Sequence, residues 1–347
     1  MKKLFTILAV AATLVSCAKE DVVREAAREA IGFDNAFVEN STRSVNDPSF
    51  TNTNLFGGFR VYGFVENAPL FKGTEVTGSG LGNTGAWTYE GTQYWVAGAN
   101  YKFHAVAPIT ANAQNVDCDV TDGVSFNYTN NGTEDLLYAY QTATGQTTGN
   151  NQKVAFTFDH ILSKVKFTFL NGYDASNATL KVTNVKITNA HKTANVALNN
   201  TTVAWTKDNS DEVVVLDFGA ATDRENKSVT TIADYAFGSI YESYNERFVL
   251  PSTAEYEYNV TFTVELYIND VQVDVDATKE GVQGYNHTAT AKFAPKAGNA
   301  YDIKTTITAL NIDPSGKQDP IQFTVTEING WDTDYNDDAK GDNNINM

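Results

Sequence analysis

From Phe59 to Ile328 this chain is written in short runs of alternating apolar and polar residues, and no segment between them has the length and period of an amphipathic helix. The runs are FRVYGFV, QYWVAG, YKFHAVAP, VSFNY, DLLYAY and KVAFTF, then ILSKVKFTF, TLKVTNVKIT, VVVLDF, RFVLP, YNVTFTVELYI, VQVDVDA, AYDIKTTITAL and IQFTVTEI, set apart by Gly, Asn, Asp and Pro. A period of two is that of a strand with one buried face. Parallel βαβ units need crossover helices, and none is available. The expected class is all-β, as two antiparallel β-sandwiches in series. Asn269-Asp270 divides two strongly alternating runs, so Tyr258–Ala277 is read as a hairpin.

A chain of 347 residues is long enough for two such bodies, and 12 % aromatic residues against 2 methionines suit strands. Only Cys17 and Cys118 are present, so the fold must hold by burial and β-ladders. The net charge of −17, with no basic cluster, excludes nucleic acid as a partner.

The N-terminus carries its own signal. Lys2 and Lys3 precede the apolar run Leu4–Val15, which is too short for a membrane-spanning helix, and Leu14-Val15-Ser16-Cys17 is a lipobox. Residues 1–16 are read as a lipoprotein signal peptide and Cys17 as the lipidated N-terminus, whose acyl chains anchor the protein to a membrane. Asp21–Ala30 (DVVREAAREA) reads as a short helix, Ile31–Val38 (IGFDNAFV) as a strand, and Glu39–Asn54 as a polar link around Arg43.

Catalytic and metal motifs are missing. His104, His160, His191 and His287 stand far apart without spaced partners, which argues against zinc. Gly78-Ser79-Gly80-Leu81-Gly82 has no helix after it and reads as a loop rather than a nucleotide cradle. There is no nucleophile elbow and no acidic pair in an apolar setting, so no enzyme and no cofactor are expected. Asp332, Asp334, Asn336 and Asp338 alternate as calcium ligands do, but Asp337 and Asn343 stand where an EF-hand loop needs Gly and Glu. The tail 332–347 is therefore read as acidic and flexible. Trp87, Tyr89, Tyr94 and Trp95 are close enough in sequence to form an aromatic sugar platform, although a buried core explains them equally.

A series of short signatures then carries a resemblance: IGFDNAF followed by Thr42-Arg43, FRVYGF, Trp95 leading into YKFHAVAP, DLLYA, FTFDHILSK, FVLP, GNAYDI and Gly330-Trp331. In this order, behind a lipobox, they resemble the fimbrillin family, the pilin-like lipoproteins of the type V pilus. The resemblance implies two tandem transthyretin-like sandwiches, here 44–162 and 163–331, after a lipidated propeptide 17–43. It implies cleavage by an arginine-specific protease, with Arg43 as the P1 residue and Ser44 as the new N-terminus. The removed strand would carry Ile31, Phe33, Ala36 and Val38, and a C-terminal donor strand from another pilin subunit would bring Ile321, Phe323, Val325 and Ile328. The protein would sit on the cell outer membrane through its lipid, pass into a pilus after processing, and support adhesion to a host or glycan ligand. The alternatives are a non-polymerising glycan-binding lipoprotein and a pilus anchor. Shaft and tip roles both remain open, since sixteen residues follow Trp331.

Overall fold

The computed structural model describes residues 28–38, 57–79, 86–174, 178–207, 212–223, 238–243, 245–273, 281, 284–312 and 319–328. Within them the chain is nearly all strand. The strands are numbered in chain order. The largest sheet runs β1 (Phe33–Val38), β9 (Val154–His160), β8 (Leu137–Thr144), β5 (Asn100–Ala107), β2 (Gly58–Val65), β3 (Ala68–Ser79) and β4 (Ala86–Tyr89).

This sheet curls until its two edge strands meet. The Phe33 ring of β1 lies 5.5 Å from that of Tyr89 in β4, and the Tyr89 hydroxyl donates a 2.7 Å hydrogen bond to the Ile31 carbonyl. Inside the curl Phe33, Phe59, Phe71, Phe103, Phe156 and Phe158 are buried together. The alternation of β5 explains how one sheet serves two cores. Phe103 and Ala105 face the curl, while Val106 faces outward with Tyr62 and Tyr138.

A second sheet covers that outward face: β13 (Thr202–Lys207), β12 (Thr193–Asn199), β7 (Gly123–Thr129) and β6 (Ala113–Asp119). Its Val124, Phe126, Tyr128, Val196 and Leu198 close a core over Tyr62, Val106 and Tyr138. The ribbon β12–β13 comes from the later half of the chain, yet β12 pairs with β7, Thr193 opposite Thr129 through Leu198 opposite Val124.

The other sandwich has one sheet of β15 (Ala221–Asp223), β16 (Ile240–Ser243), β10 (Ser163–Gly172), β21 (Ala300–Thr308) and β22 (Thr324–Ile328), with β17 (Arg247–Val249) also on β10. The facing sheet is β14 (Val213–Gly219), β11 (Ala178–His191), β18 (Tyr256–Ile268) and β19 (Val271–Val273), with β20 (Tyr285–Phe293) on β18. Phe167, Phe169, Ile303, Leu180, Phe218 and Phe262 lie in the core between them.

The expected hairpin is present as β18 and β19, and both turn residues are left-handed, Asn269 at φ 49° and Asp270 at 62°. Two pairings are parallel, β1 with β9 and β10 with β21, and among the described residues between the members of each pair there are strands and turns and no helix. Two expected strands differ. QYWVAG contributes only an isolated bridge, Tyr94 with Ala30. The run AYDIKTTITAL ends in a 3-10 turn, Ala309–Ile312, where the Asn311 side-chain oxygen accepts from the Thr308 backbone N–H at 2.8 Å. Of the helix expected at Asp21–Ala30, residues 28–30 are not helical, and 21–27 lie outside the described residues.

Candidate functional site

The N-terminal strand is the seam of the curled sheet, and the residues around it form the site. Ile31 and Phe33 are each 1 % exposed. Phe33 stacks on Phe156 and meets Phe59, Phe71, Phe103 and Tyr89 edge-on, so one ring touches five staves of the curl. The backbone of β1 runs parallel to β9, Phe33 opposite Val154 and Val38 opposite Phe158, with a bulge between Asp34 and Phe37. Ala36 lies within this strand.

Ahead of β1 the chain is clasped from the other side. The Ile31 N–H donates to the Gln93 carbonyl at 2.8 Å, and the Trp95 N–H donates to the Glu29 carbonyl at 2.9 Å. The Val154 N–H donates to the Gly32 carbonyl at 2.8 Å. The Glu29 carboxylate accepts from the Gly149 N–H at 2.8 Å, the Asn151 side-chain amide at 2.7 Å and the Asn151 N–H at 3.3 Å. These donors, led by the Asn151 amide, hold the Glu29 carboxyl below its ordinary value. Sequence reasoning missed Glu29, because its good helix formers looked like the end of a helix. The signal that could have found it is its place two residues before the first buried Ile.

At the other end, β22 is an edge strand laddered to β21, Ile328 opposite Ala300 and Val325 opposite Ile303. Of the residues read as a donor strand, Val325 and Ile328 lie in β22, while Ile321 and Phe323 precede it. Ile321 is buried, and Phe323 and Val325 pack half-buried on the same core, the Phe323 ring 5.6 Å from Phe167. Glu327 is fastened by the Lys296 ammonium at 2.7 Å and the Asn299 side-chain amide at 2.6 Å. The structure thus places Ile31 and Phe33 in one core and Ile321, Phe323 and Val325 on another. Cys17, Arg43, Ser44, Trp331 and the tail 332–347 lie outside the described residues.

The remaining candidates are structural. Trp87 packs on Phe59, Tyr89 on Phe33 and Phe71, and Trp95 is 9 % exposed against Tyr101, so core packing accounts for three of the four aromatics; Tyr94 is 41 % exposed. His104 is buried 2.7 Å from the Tyr138 hydroxyl, which itself donates to the Asn200 carbonyl, so the His104 Nδ1 is the protonated nitrogen. Burial lowers the pKa of His104, and of His287, to about 4. His160 meets the Asp135 carboxylate at 2.6 Å, and His191 packs on Tyr256. Cys118 is half-buried, its thiol pushed up to about 11 by burial and by Asp117 and Asp119.

The family model described as fimbrillin-like matches residues 42–331. The chain belongs to the fimbrillin-like family. Membership gives this fimbrillin-like chain a pilus-related role at the cell surface, with pilin subunits as partners. Among curated proteins none matches it. Among solved structures it is similar to a candidate cell adhesion protein from Bacteroides uniformis, at 16 % identity and TM-score 0.45, over 87 % of this chain and 98 % of the other. A fimbrial assembly protein from Parabacteroides distasonis is similar at 11 % identity and TM-score 0.43, over 86 % of the fimbrillin-like chain and 99 % of its own.

Proposed function

We propose that this fimbrillin-like protein is a structural subunit, shaft or tip, of a type V pilus. It is exported as a lipoprotein on Cys17, cut after Arg43 by an arginine-specific protease, and polymerised by strand exchange; the fibre supports adhesion, and the subunit is not an enzyme. The observation that carries the reading is the seat of β1: a terminal strand, five residues before Arg43, that fills the seam of an aromatic core. Losing it would expose a strand edge and the floor under Phe33, and burying one such Phe is worth about 1.5–3 kcal/mol. An incoming strand regains both the ladder and the burial, which makes the joint long-lived.

The test is the N-terminus of protein sheared from cells, by mass spectrometry, together with its migration on an unboiled gel. Chains beginning at Ser44 in a heat-sensitive ladder support the reading. A lipidated Cys17 on a monomer would replace it with an anchor.

A further inference from the structure

Lys166 and Asp302 form a buried pair that is poorly arranged as an ion pair and well arranged to react. They lie on β10 and β21, which run parallel, and stand directly opposite each other in the ladder. Their side chains are only 4 % and 6 % exposed, and the Lys166 Nζ is 4.0 Å from Asp302 Oδ2. Glu242, on the neighbouring strand β16, holds the same ammonium at 3.0 Å. The other carboxylate oxygen, Asp302 Oδ1, is buried with no hydrogen-bond partner. A buried ion pair offsets the hydration it loses only when its contacts are close and its oxygens are satisfied. Here the contact is long and one oxygen is orphaned.

We propose that Lys166 and Asp302 condense into an isopeptide amide within the folded subunit, with Glu242 relaying the protons. The ammonium first gives a proton to the Asp302 carboxylate, leaving an amine and an acid; burial removes the hydration that favours the separated charges. The Lys166 Nζ then attacks the Asp302 Cγ. Glu242 takes a proton from the attacking nitrogen and delivers it to the departing hydroxyl, so the C–O bond breaks as the N–C bond is completed. An ammonium and a carboxylate become an amide and one water, nothing is oxidised or reduced, and Glu242 ends as it began. The reacting atoms must meet at about 3–3.5 Å, a small side-chain adjustment from the present contact. Adjacent strands hold them at an effective molarity on the order of 10⁵–10⁸ M, against the hydrolysis that prevails between separate molecules.

The amide fits the site better than the pair it replaces. One oxygen remains, and the Lys304 ammonium, now 3.3 Å from Asp302 Oδ2, is placed to donate to it, while the new N–H keeps Glu242 as its acceptor. The surplus oxygen leaves as water into a cavity of about 280 Å³ that Asp302, Glu242 and Lys304 help to line. Lys304 is the nearer amine, but it is 34 % exposed, so water stabilises its ammonium, and it shares a strand with Asp302. The link would clamp the first strand of this sandwich to a late one. It forms once per chain, as a self-modification, and is independent of how subunits join.

The test is a tryptic map of the full-length protein, boiled and denatured before digestion. A link blocks cleavage after Lys166 and joins residues 165–181 to residues 297–304, at a mass one water below the sum of the two peptides. That species is the expected result for the wild-type chain and should be absent in Lys166→Arg. Glu242→Gln, once near-UV circular dichroism shows it folded, should link at least about a hundredfold more slowly after pulse synthesis, as loss of a positioned proton relay implies. The wild-type map decides the link whatever the variants do: if the two peptides are found only apart, the proposal is overturned. A link from Lys304 to Asp302 overturns the choice of nucleophile, and an unchanged rate in folded Glu242→Gln overturns its role as the relay.

Discussion

The rings of Phe33 and Phe156 lie 5.8 Å apart with 19° between their planes, and that contact ties the first strand of the chain to the curled sheet it closes. Phe33→Ala would empty a fully enclosed site and is expected to cost about 3–5 kcal/mol in the uncut chain. Denaturant unfolding measures it. After cleavage at Arg43 the same substitution should change nothing, and a persistent difference would mean that β1 stays in place.

Acid should loosen the clasp before it loosens the cores. The Glu29 carboxyl is held below its ordinary value of 4.5 by hydrogen bonds from Asn151 and Gly149, so its stabilising effect is complete above that value. It is lost as the pH falls through the lower folded value. The protection of the Ile31 amide against exchange, taken relative to the intrinsic rate at each pH from 6 to 3, should fall at the acid end. In Glu29→Gln that loss of protection should be absent.

The buried histidines set a second pH dependence. Burial brings His104 and His287 from 6.5 to about 4, so the unfolded chain binds protons in this window that the folded chain refuses. Their contribution to stability is expected to be greatest above pH 6.5 and to decline from there down to about pH 4. His287→Phe, next to Phe262 and Tyr285, should flatten part of that decline in denaturant midpoints measured across the window.

The turn at Asn269-Asp270 gives a local test. Both residues are left-handed, a conformation that Asn and Asp tolerate and a β-branched residue does not. Asn269→Val is expected to destabilise by about 1–2 kcal/mol, and Asp270→Gly to be neutral or mildly stabilising. Thermal unfolding of the two variants checks the pair.

Strands with large side chains on one face were legible, since alternation reports burial: Val154, Phe156 and Phe158 in β9, or Val260, Phe262 and Val264 in β18. β20 was not, because its buried face is His287, Ala289, Ala291 and Phe293, three small or polar residues and one large one. β6 has an exposed edge and little apolar content, so its hydrogen bonds leave no mark in hydropathy. The helix read over Asp21–Ala30 does not reach Arg28–Ala30, because propensity is local, whereas the bridge from Ala30 to Tyr94 is decided by residues sixty positions away. Of the site, the buried Ile31 and Phe33 could be read from their spacing. The Glu29 clasp could not, since its donors sit on a loop that only the fold brings near.

The ladder between Thr193–Leu198 and Val124–Thr129 has a mechanical meaning. Beads on a string part when the string straightens, but here a ribbon of one half is stitched into a sheet of the other. Tension that would separate them must first shear six residue pairs and draw Val196 and Leu198 out of a dry interior. Under tension the protein is expected to hold as one stiff link and to give first at its extremities, where β1 and β22 are the edge strands of their sheets.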